Sequence, residues 1–204
     1  LFNFLPLLVG LFGVVVGAGA LGGEEDDGTL ELLAALPISR VKLVLVKTLA
    51  LAIGAALVIL FDGLVAAGVF SLLGLDTPVT ALDMFLTVQS MWVMAFVFLA
   101  IGLFLGAYLP NHGMALGVAL AALFTSFFGD NLAGMAPVLE PLQPFLPHFH
   151  FESVIQMLVG DVAWREVGIL LAIGAGFIAL AVLSFRRRNL TVGAWPWQRP
   201  RLAS

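Results

Sequence analysis

The chain has 204 residues, of which 61% are hydrophobic and 11% are charged, with a net charge of -4 and no cysteine. A soluble domain carries about 25% charged residues, so this composition excludes an ordinary globular protein, and the apolar content excludes a disordered one. The absence of cysteine excludes disulfides and thiolate sites, and the net negative charge gives no overall field that would attract nucleic acid. What remains is a helical membrane protein with several spans.

Five stretches of the chain are apolar and long enough to cross a bilayer, which takes about 20 mostly apolar residues. We predict an all-α, polytopic membrane helical bundle with spans at about residues 1–22, 48–74, 84–109, 113–128 and 167–185. Lys42 and Lys47 precede the second span and are expected at the membrane interface. The chain begins inside an apolar run at Leu1, and we expect a further segment upstream of it.

The third and fourth spans are predicted to form a helical hairpin. No formal charge lies between Asp83 and Asp130, and this stretch is too long for one membrane helix. Pro110, Asn111 and Gly113 interrupt it, because proline and glycine end helices and asparagine favours tight turns. The connection between the two helices is therefore expected to be very short.

Basic residues predict the orientation of the bundle, since Lys and Arg concentrate in cytoplasmic loops. They follow the first span at Arg40, Lys42 and Lys47, and they follow the last span at Arg186, Arg187, Arg188, Arg199 and Arg201. Segment 129–166 carries Arg165 among several acidic residues. Loop 23–40 and the tail 191–204 are thus placed in the cytoplasm, and segment 129–166 on the outer side.

Loop 23–40 combines an acidic run with a short apolar pattern. The acidic residues 24–27 favour the start of a helix, because negative charge is stabilising at a helix N-terminus. Leu30 and Leu33 then share one helical face, and Pro37 ends the helix. The pattern predicts a short amphipathic helix beside the membrane. A plain interfacial helix, whose acids only keep the loop in water, stays open as the alternative.

Three parts of the chain carry a resemblance to a known family. Loop 23–40 reads acidic residues, Gly28-Thr29, Glu31-Leu32-Leu33 and Leu36-Pro37-Ile38-Ser39-Arg40; the segment before the last span reads Leu146-Pro147-His148-Phe149-His150-Phe151; the tail reads Phe185-Arg186-Arg187-Arg188-Asn189-Leu190. Together these motifs resemble the ABC-2 type permeases, which are the membrane subunits of ABC transporters, mostly exporters. Asn189 departs from the family pattern, in which this position is usually acidic.

The resemblance implies a permease domain over residues 1–190 that works with other chains. The family usually has six spans, so a first helix is expected upstream of the five seen here. Two permease subunits would pair, as a homodimer or a heterodimer, in the inner (cytoplasmic) membrane of a prokaryote. Each would bind a separate ATPase subunit through loop 23–40, the family's coupling helix. The coupling residues implied are Glu24, Glu25, Gly28, Thr29, Glu31, Leu33, Pro37 and Arg40.

Motifs for an enzyme are missing from the sequence. A phosphate-binding P-loop reads Gly-x4-Gly-Lys-Ser/Thr, whereas Lys47-Thr48 has no glycine loop before it. HExxH and Gly-x-Ser-x-Gly are also absent. The chain is therefore expected to be neither an enzyme nor a cofactor-binding protein, and ATP hydrolysis falls to a partner.

Asp62 is a formal charge well inside a predicted span. A carboxylate at mid-membrane costs about 2.5–3.5 kcal/mol on insertion scales, so Asp62 is expected to face a cavity, a partner helix or the outer interface. A place in the transport pathway and a merely wetted position toward the outer side both stay open.

Segment 129–166 combines prolines, histidines and an amphipathic pattern. Its first part is expected to be kept out of helix by Pro137, Pro141, Pro144 and Pro147. Helical spacing then predicts a short amphipathic helix on the outer leaflet through Phe151, Val154, Ile155 and Leu158. His148, His150 and Glu152 alternate as metal ligands would on an extended strand, but polar residues at the outer interface explain them as well, and no metal is assigned.

Motifs of two glycines four residues apart predict close approach of helices; they are Gly13/Gly17, Gly102/Gly106 and Gly113/Gly117. Packing within the chain is the general expectation, and an interface between two permease copies is the other. The leading hypothesis is the permease subunit of an ATP-driven ABC-2 type transporter, an exporter. The alternative is a non-transporting structural subunit, a truncated permease copy in a larger membrane complex. The substrate is not defined by these residues.

Overall fold

The computed structural model describes residues 4–23, 39–74, 79–155 and 164–187, and every regular element in these ranges is a helix. The α-helices are α1 (Leu5–Ala18), α2 (Arg40–Leu73), α3 (Ala81–Tyr108), α4 (His112–Ala133), α5 (Pro147–Ile155) and α6 (Trp164–Arg187). A π-helical turn, Gly19–Gly23, extends α1, and a 3-10 helix, Pro137–Phe145, lies between α4 and α5. The predicted all-α fold is confirmed.

Five of the described helices are long and apolar enough to cross a membrane: α1 with its π-helical turn, α2, α3, α4 and α6. They correspond in order to the predicted spans. Many of the side chains exposed on their outer faces are apolar, as with Leu57, Phe61 and Leu64 on α2. Lipid tails are as apolar as leucine, so these faces suit a bilayer and the molecule is a helical membrane bundle.

Helix α3 occupies the centre of the bundle. It packs against α1, α2, α4 and α6, and it supplies the fully buried Met94, Phe98, Leu99 and Leu103. Most of its apolar length is buried, whereas the other four spanning helices each keep a lipid-facing side. The positions of α1, α2, α4 and α6 are therefore set by how they pack on α3.

Glycines set the distance between α1 and α3. A Cβ atom built on Gly13 would lie 2.5 Å from the carbonyl oxygen of Ala95, and one built on Gly102 would lie 2.7 Å from the carbonyl oxygen of Val14. These contacts are with backbone atoms, which cannot rotate away as a side chain can. The two backbones thus touch because neither helix has a side chain at these positions.

The motifs Gly13/Gly17 and Gly102/Gly106 therefore meet each other across one interface inside the chain, and the prediction of close helix approach is confirmed for both. The third motif behaves differently. No described atom outside its own helix turn lies within 4 Å of a Cβ built on Gly117. A role for Gly113/Gly117 between two copies stays a prediction.

Helix α2 starts earlier than the span predicted for it. The hydroxyl of Ser39 accepts a hydrogen bond from the backbone N–H of Lys42 at 3.2 Å, and this cap begins the helix at Arg40 rather than near Thr48. The result is one continuous helix of 34 residues, about 51 Å long at 1.5 Å per residue.

The middle of α2 is tied to α3 by two side chains. Trp92 Nε1 donates a hydrogen bond to the carbonyl oxygen of Ala52 at 2.9 Å, and Gln89 Nε2 donates to that of Ile59 at 3.0 Å. Both donors come from α3 and reach backbone oxygens that already belong to the α2 helix. These bonds hold α2 near its midpoint.

The predicted hairpin of the third and fourth spans is confirmed. Helix α3 ends at Tyr108, and the side chain of Asn111 caps α4 by accepting from the N–H of Met114 at 2.8 Å. Helix α4 then runs to Ala133 rather than ending near Phe128. The polar residues that follow continue the helix, and Asn131 Nδ2 bonds the carbonyl of Phe127 at 2.7 Å.

The expectation that prolines exclude helix from the start of segment 129–166 is wrong. Pro141 and Pro144 lie inside the 3-10 helix, and Pro147 is the first residue of α5. The fixed φ angle of proline is compatible with the 3-10 turns that hold Pro141 and Pro144, and Pro147 stands in the first turn of α5, where the missing N–H donor is not needed. The helix predicted around Phe151 exists as α5, while Leu158 lies outside the described residues.

Candidate functional site

The two ends of the bundle carry different charges. The end where α1 and α6 finish and α2 begins, here called the basic end, carries Arg40, Lys42, Lys47, Arg186 and Arg187. The opposite end carries Asp83, Asp130, Glu140, Arg165 and Glu166. The asymmetry of Lys and Arg along the sequence is thus an asymmetry across the bundle, as membrane topology requires.

Both flanks of loop 23–40 are tied to the basic end. Lys47 Nζ donates to the carbonyl oxygen of Ala20 at 2.9 Å, and Arg40 Nη1 approaches the carbonyl oxygen of Phe185 at 3.4 Å. Ala20 and Phe185 lie in the last turns of their helices, where carbonyls lack partners and cations are stabilising. The loop therefore leaves from and returns to a fixed platform made by α1, α2 and α6.

Asp62 faces a small cleft between α1 and α2. The cleft has a volume of about 200 Å³ and is lined by apolar side chains, including Leu8, Phe12 and Val58. Its carboxylate is exposed at the surface of the described chain. A place for Asp62 in the transport pathway stays a prediction.

His148 joins α5 to α4. Its Nδ1 lies 2.8 Å from the hydroxyl oxygen of Ser126, and its backbone N–H donates to the same oxygen at 3.1 Å. The ring packs between Phe98 and Phe127, with centroid distances of 5.5 and 5.4 Å. Among the described residues, Nε2 is buried with no hydrogen-bond partner. Such a site suits a neutral imidazole, because an imidazolium would bury an unpaired N–H donor.

His150 joins α5 to α6 and to the 3-10 helix. Its Nδ1 lies 2.6 Å from Glu166 Oε2, and its Nε2 lies 2.9 Å from the carbonyl oxygen of Pro144. Both ring nitrogens thus face oxygen acceptors. The two histidines of α5 pair with different walls of the bundle, His148 with α4 and His150 with α6.

The strand arrangement considered for a metal site is not found. His148 and His150 lie on a helix, where residues two apart point in different directions. Each already has a hydrogen-bond partner on a different helix, His148 on α4 and His150 on α6. No group of three or more potential metal-binding side chains occurs within the described ranges. The side chain of Glu152 lies outside what the structure describes.

Burial gives His148 a measurable pH signature. It lowers the pKa of this side chain from 6.5 to about 4, so the unfolded chain takes up a proton in a range where the folded protein does not. Above pH 6.5 the neutral side chain has its full effect on the free energy of unfolding. As the pH falls from 6.5 toward 4, protonation of the unfolded chain lowers the free energy of unfolding by about 3 kcal/mol in all. We expect the melting temperature in detergent to fall over this range, and to fall less in His148→Gln.

The comparison with His148→Gln isolates this effect. Asp130, Glu140 and Glu166 lie on elements packed against α5, and His150 lies on α5 itself; all four are present in both proteins. Their contribution cancels in the difference between the two pH profiles. Parallel profiles for wild type and variant would show that the folded protein does not hold His148 neutral.

Comparison with known proteins assigns the family. A model of the ABC-2 family of transporter proteins matches residues 2–190. The chain belongs to this family. It is also similar to the inner membrane transport permease YhhJ of Escherichia coli (strain K12) and of Shigella flexneri, each 23% identical over 192 residues that cover 87% of this chain and 48% of the relative. The chain thus spans about half the length of the curated relatives that it matches.

Because the chain belongs to the ABC-2 family, the predicted coupling residues of loop 23–40 at the basic end are the first to be located. Arg40, the last of the predicted coupling residues, stands at the start of α2 beside the end of α6. The others lie outside the described residues: Glu24, Glu25, Gly28, Thr29, Glu31, Leu33 and Pro37. The structure therefore describes the platform from which the loop extends.

Sequence reasoning missed three residues of the opposite end. Ser126, Glu166 and Pro144 are the partners of the two α5 histidines. Ser126 and Glu166 carried a usable signal, because a hydroxyl in an apolar span and an acid at the start of the last span need partners. The Pro144 carbonyl carried none, since any backbone oxygen could have filled its place.

Proposed function

We propose that this chain is the membrane-spanning permease part of an ATP-driven ABC-2 transporter, an exporter of the prokaryotic inner membrane. A separate ATPase subunit docks on loop 23–40, and its closure on ATP displaces that loop against the bundle. A second permease subunit completes the pathway. The C-terminus lies in the cytoplasm, on the same side as the ATPase.

The observation that carries this proposal is the platform at the basic end. A coupling element must pass force from a soluble subunit to spanning helices, so both its ends need firm attachment. Arg40 and Lys47 supply that attachment through carbonyls of α6 and of the π-helical turn. The five basic side chains that the structure describes at this end favour the cytoplasmic face, where ATP is available.

Two further elements are assigned within this proposal. The open surface around Gly113 and Gly117 of α4 supports a contact between permease subunits, because small residues allow helices to approach closely. Asp62 supports a place in the pathway, because its carboxylate stands in a cleft of otherwise apolar side chains and an acid in a span is generally functional.

Co-purification tests the proposal most directly. The full-length protein is extracted from native membranes in mild detergent, and every stoichiometric partner is identified by mass spectrometry. The expected result is a complex that contains a P-loop ATPase. A stable complex built of other membrane subunits and lacking an ATPase would assign the chain to a structural role and remove transport from consideration.

A further inference from the structure

A groove lies between α4 and α6. Both helices pack on α3 but hardly on each other, so a space of about 750 Å³ is left between them. Its walls include Ala122 and Thr125 of α4 and Ile173 of α6, its floor is Phe98 of α3, and residues 144–147 cover one end. We call this space the lateral groove and residues 144–147 its roof.

The chemistry of the lateral groove is that of a hydrocarbon site. Apart from the hydroxyls of Thr125 and Ser126, its side-chain lining is apolar, and none of its lining residues is charged. The Ser126 hydroxyl is engaged by His148, so Thr125 offers the remaining polar group. The volume lies within the range of about 300–1,000 Å³ typical of small-molecule pockets.

The groove is open at the surface between two spanning helices, since Val118 and Phe145 of its lining are exposed. Its α6 wall runs from Ile169 to Phe177, about 12 Å along the helix axis, and it starts beneath the roof at the opposite end of the bundle. That depth lies within one leaflet of a hydrocarbon core about 30 Å thick. Left unfilled, such a space would forfeit the dispersion contacts of its lining.

The first turns of α5, which directly follow the roof, hold it to both walls before anything binds. His148 bonds Ser126 of the α4 wall, and His150 bonds Glu166 at the start of the α6 wall. A second bond from His150 reaches Pro144 in the roof itself. A site formed in advance binds more tightly, because less ordering is required on binding.

We propose that the lateral groove binds an acyl chain of a membrane lipid from the leaflet at the roof end, with the ester and headgroup toward the roof. The apolar walls, the depth of one leaflet and the opening between two spanning helices favour this occupant over a soluble ligand. The site does not depend on coupling to an ATPase.

Photocrosslinking tests the proposal in the full-length protein. The protein is placed in nanodiscs of phosphatidylethanolamine whose acyl chain carries a diazirine, and labelled peptides are mapped after illumination. Peptides covering the groove walls are expected to carry at least fivefold more label than the lipid-facing surface of α2 around Leu57–Leu64. Ala122→Trp fills the groove and is expected to lower the label on Ile173 at least fivefold.

Matched variants separate filling of the groove from general damage. Ala50→Trp places the same side chain on the exposed face of α2 and should leave groove labelling unchanged. Ile173→Trp fills the groove from the other wall and should repeat the loss on the α4 peptides, while labelling of α2 reports that each variant is folded. Groove labelling equal to that of α2, labelling that survives both fillings, or crosslinks from the groove to a second polypeptide would overturn the proposal.

Discussion

Replacing Gly17 with leucine is expected to drive α1 away from α3 and to collapse the yield of folded protein. A Cβ atom at Gly17 overlaps the carbonyl oxygen of Leu99 and comes within 3.0 Å of the Leu103 nitrogen. Both are backbone atoms of the central helix, so neither can swing aside. Overpacking costs about 1–3 kcal/mol where side chains can adjust, and we expect a loss of at least about 3 kcal/mol here.

The measurement is the melting temperature and the monodisperse fraction of detergent-purified protein. Gly54→Leu is the matched control, because it adds the same side chain to a spanning helix where nothing described lies within 4 Å of the new Cβ atom. The control should behave as wild type. Equal behaviour of the two variants would mean that α1 and α3 are not in backbone contact.

Replacing Leu33 with aspartate is expected to abolish docking of the ATPase while the bundle inserts normally. Leu33 lies on the apolar face predicted for the helix in loop 23–40, and a carboxylate placed in a buried interface carries a large desolvation cost. Truncating a central apolar contact of an interface already costs 2 kcal/mol or more at the strongest positions. A charge at such a position should lower the affinity by about a hundredfold or more.

The readout is the amount of ATPase that co-purifies per permease, together with ATP hydrolysis by the complex. Leu32→Asp is the matched control, since Leu32 points to the other side of the same predicted helix and should retain binding. Insertion is followed by the melting temperature of the permease alone. ATPase retention by Leu33→Asp at the level of Leu32→Asp would show that the loop does not dock through this face.

The number and order of the helices could be predicted because membrane spans depend on local composition. About 20 apolar residues suffice to define one, and Asn111 with Pro110 located the hairpin. The ends of helices were less predictable. Ser39 starts α2 by a side-chain bond, and Asn131 stays inside α4 by bonding one turn back; either residue type also favours turns and helix breaks.

Contacts between distant segments could not be predicted from one sequence. The glycine motifs of α1 and α3 predicted close packing of helices. They did not predict that the two motifs would pack against each other. The two histidines of α5 predicted polar partners, but their alternating pattern suggested a strand. Only the helical structure shows that they point to different walls of the bundle. The lateral groove had no sequence signal, since it arises from two helices that both prefer α3 as a neighbour.

Helix α2 has the properties of a lever. No proline interrupts it between Arg40 and Leu73, its length exceeds the hydrocarbon core by about 20 Å, and its bonds to Gln89 and Trp92 lie close to its midpoint. We expect those bonds to be the point about which the helix tilts. Because Arg40 and Lys47 tie the start of α2 to α6 and to the π-helical turn, a tilt of about 10° about that point would move the Ser39 end together with its platform by about 4 Å. The Leu73 end, on the other side of the membrane, would move by the same distance in the opposite direction.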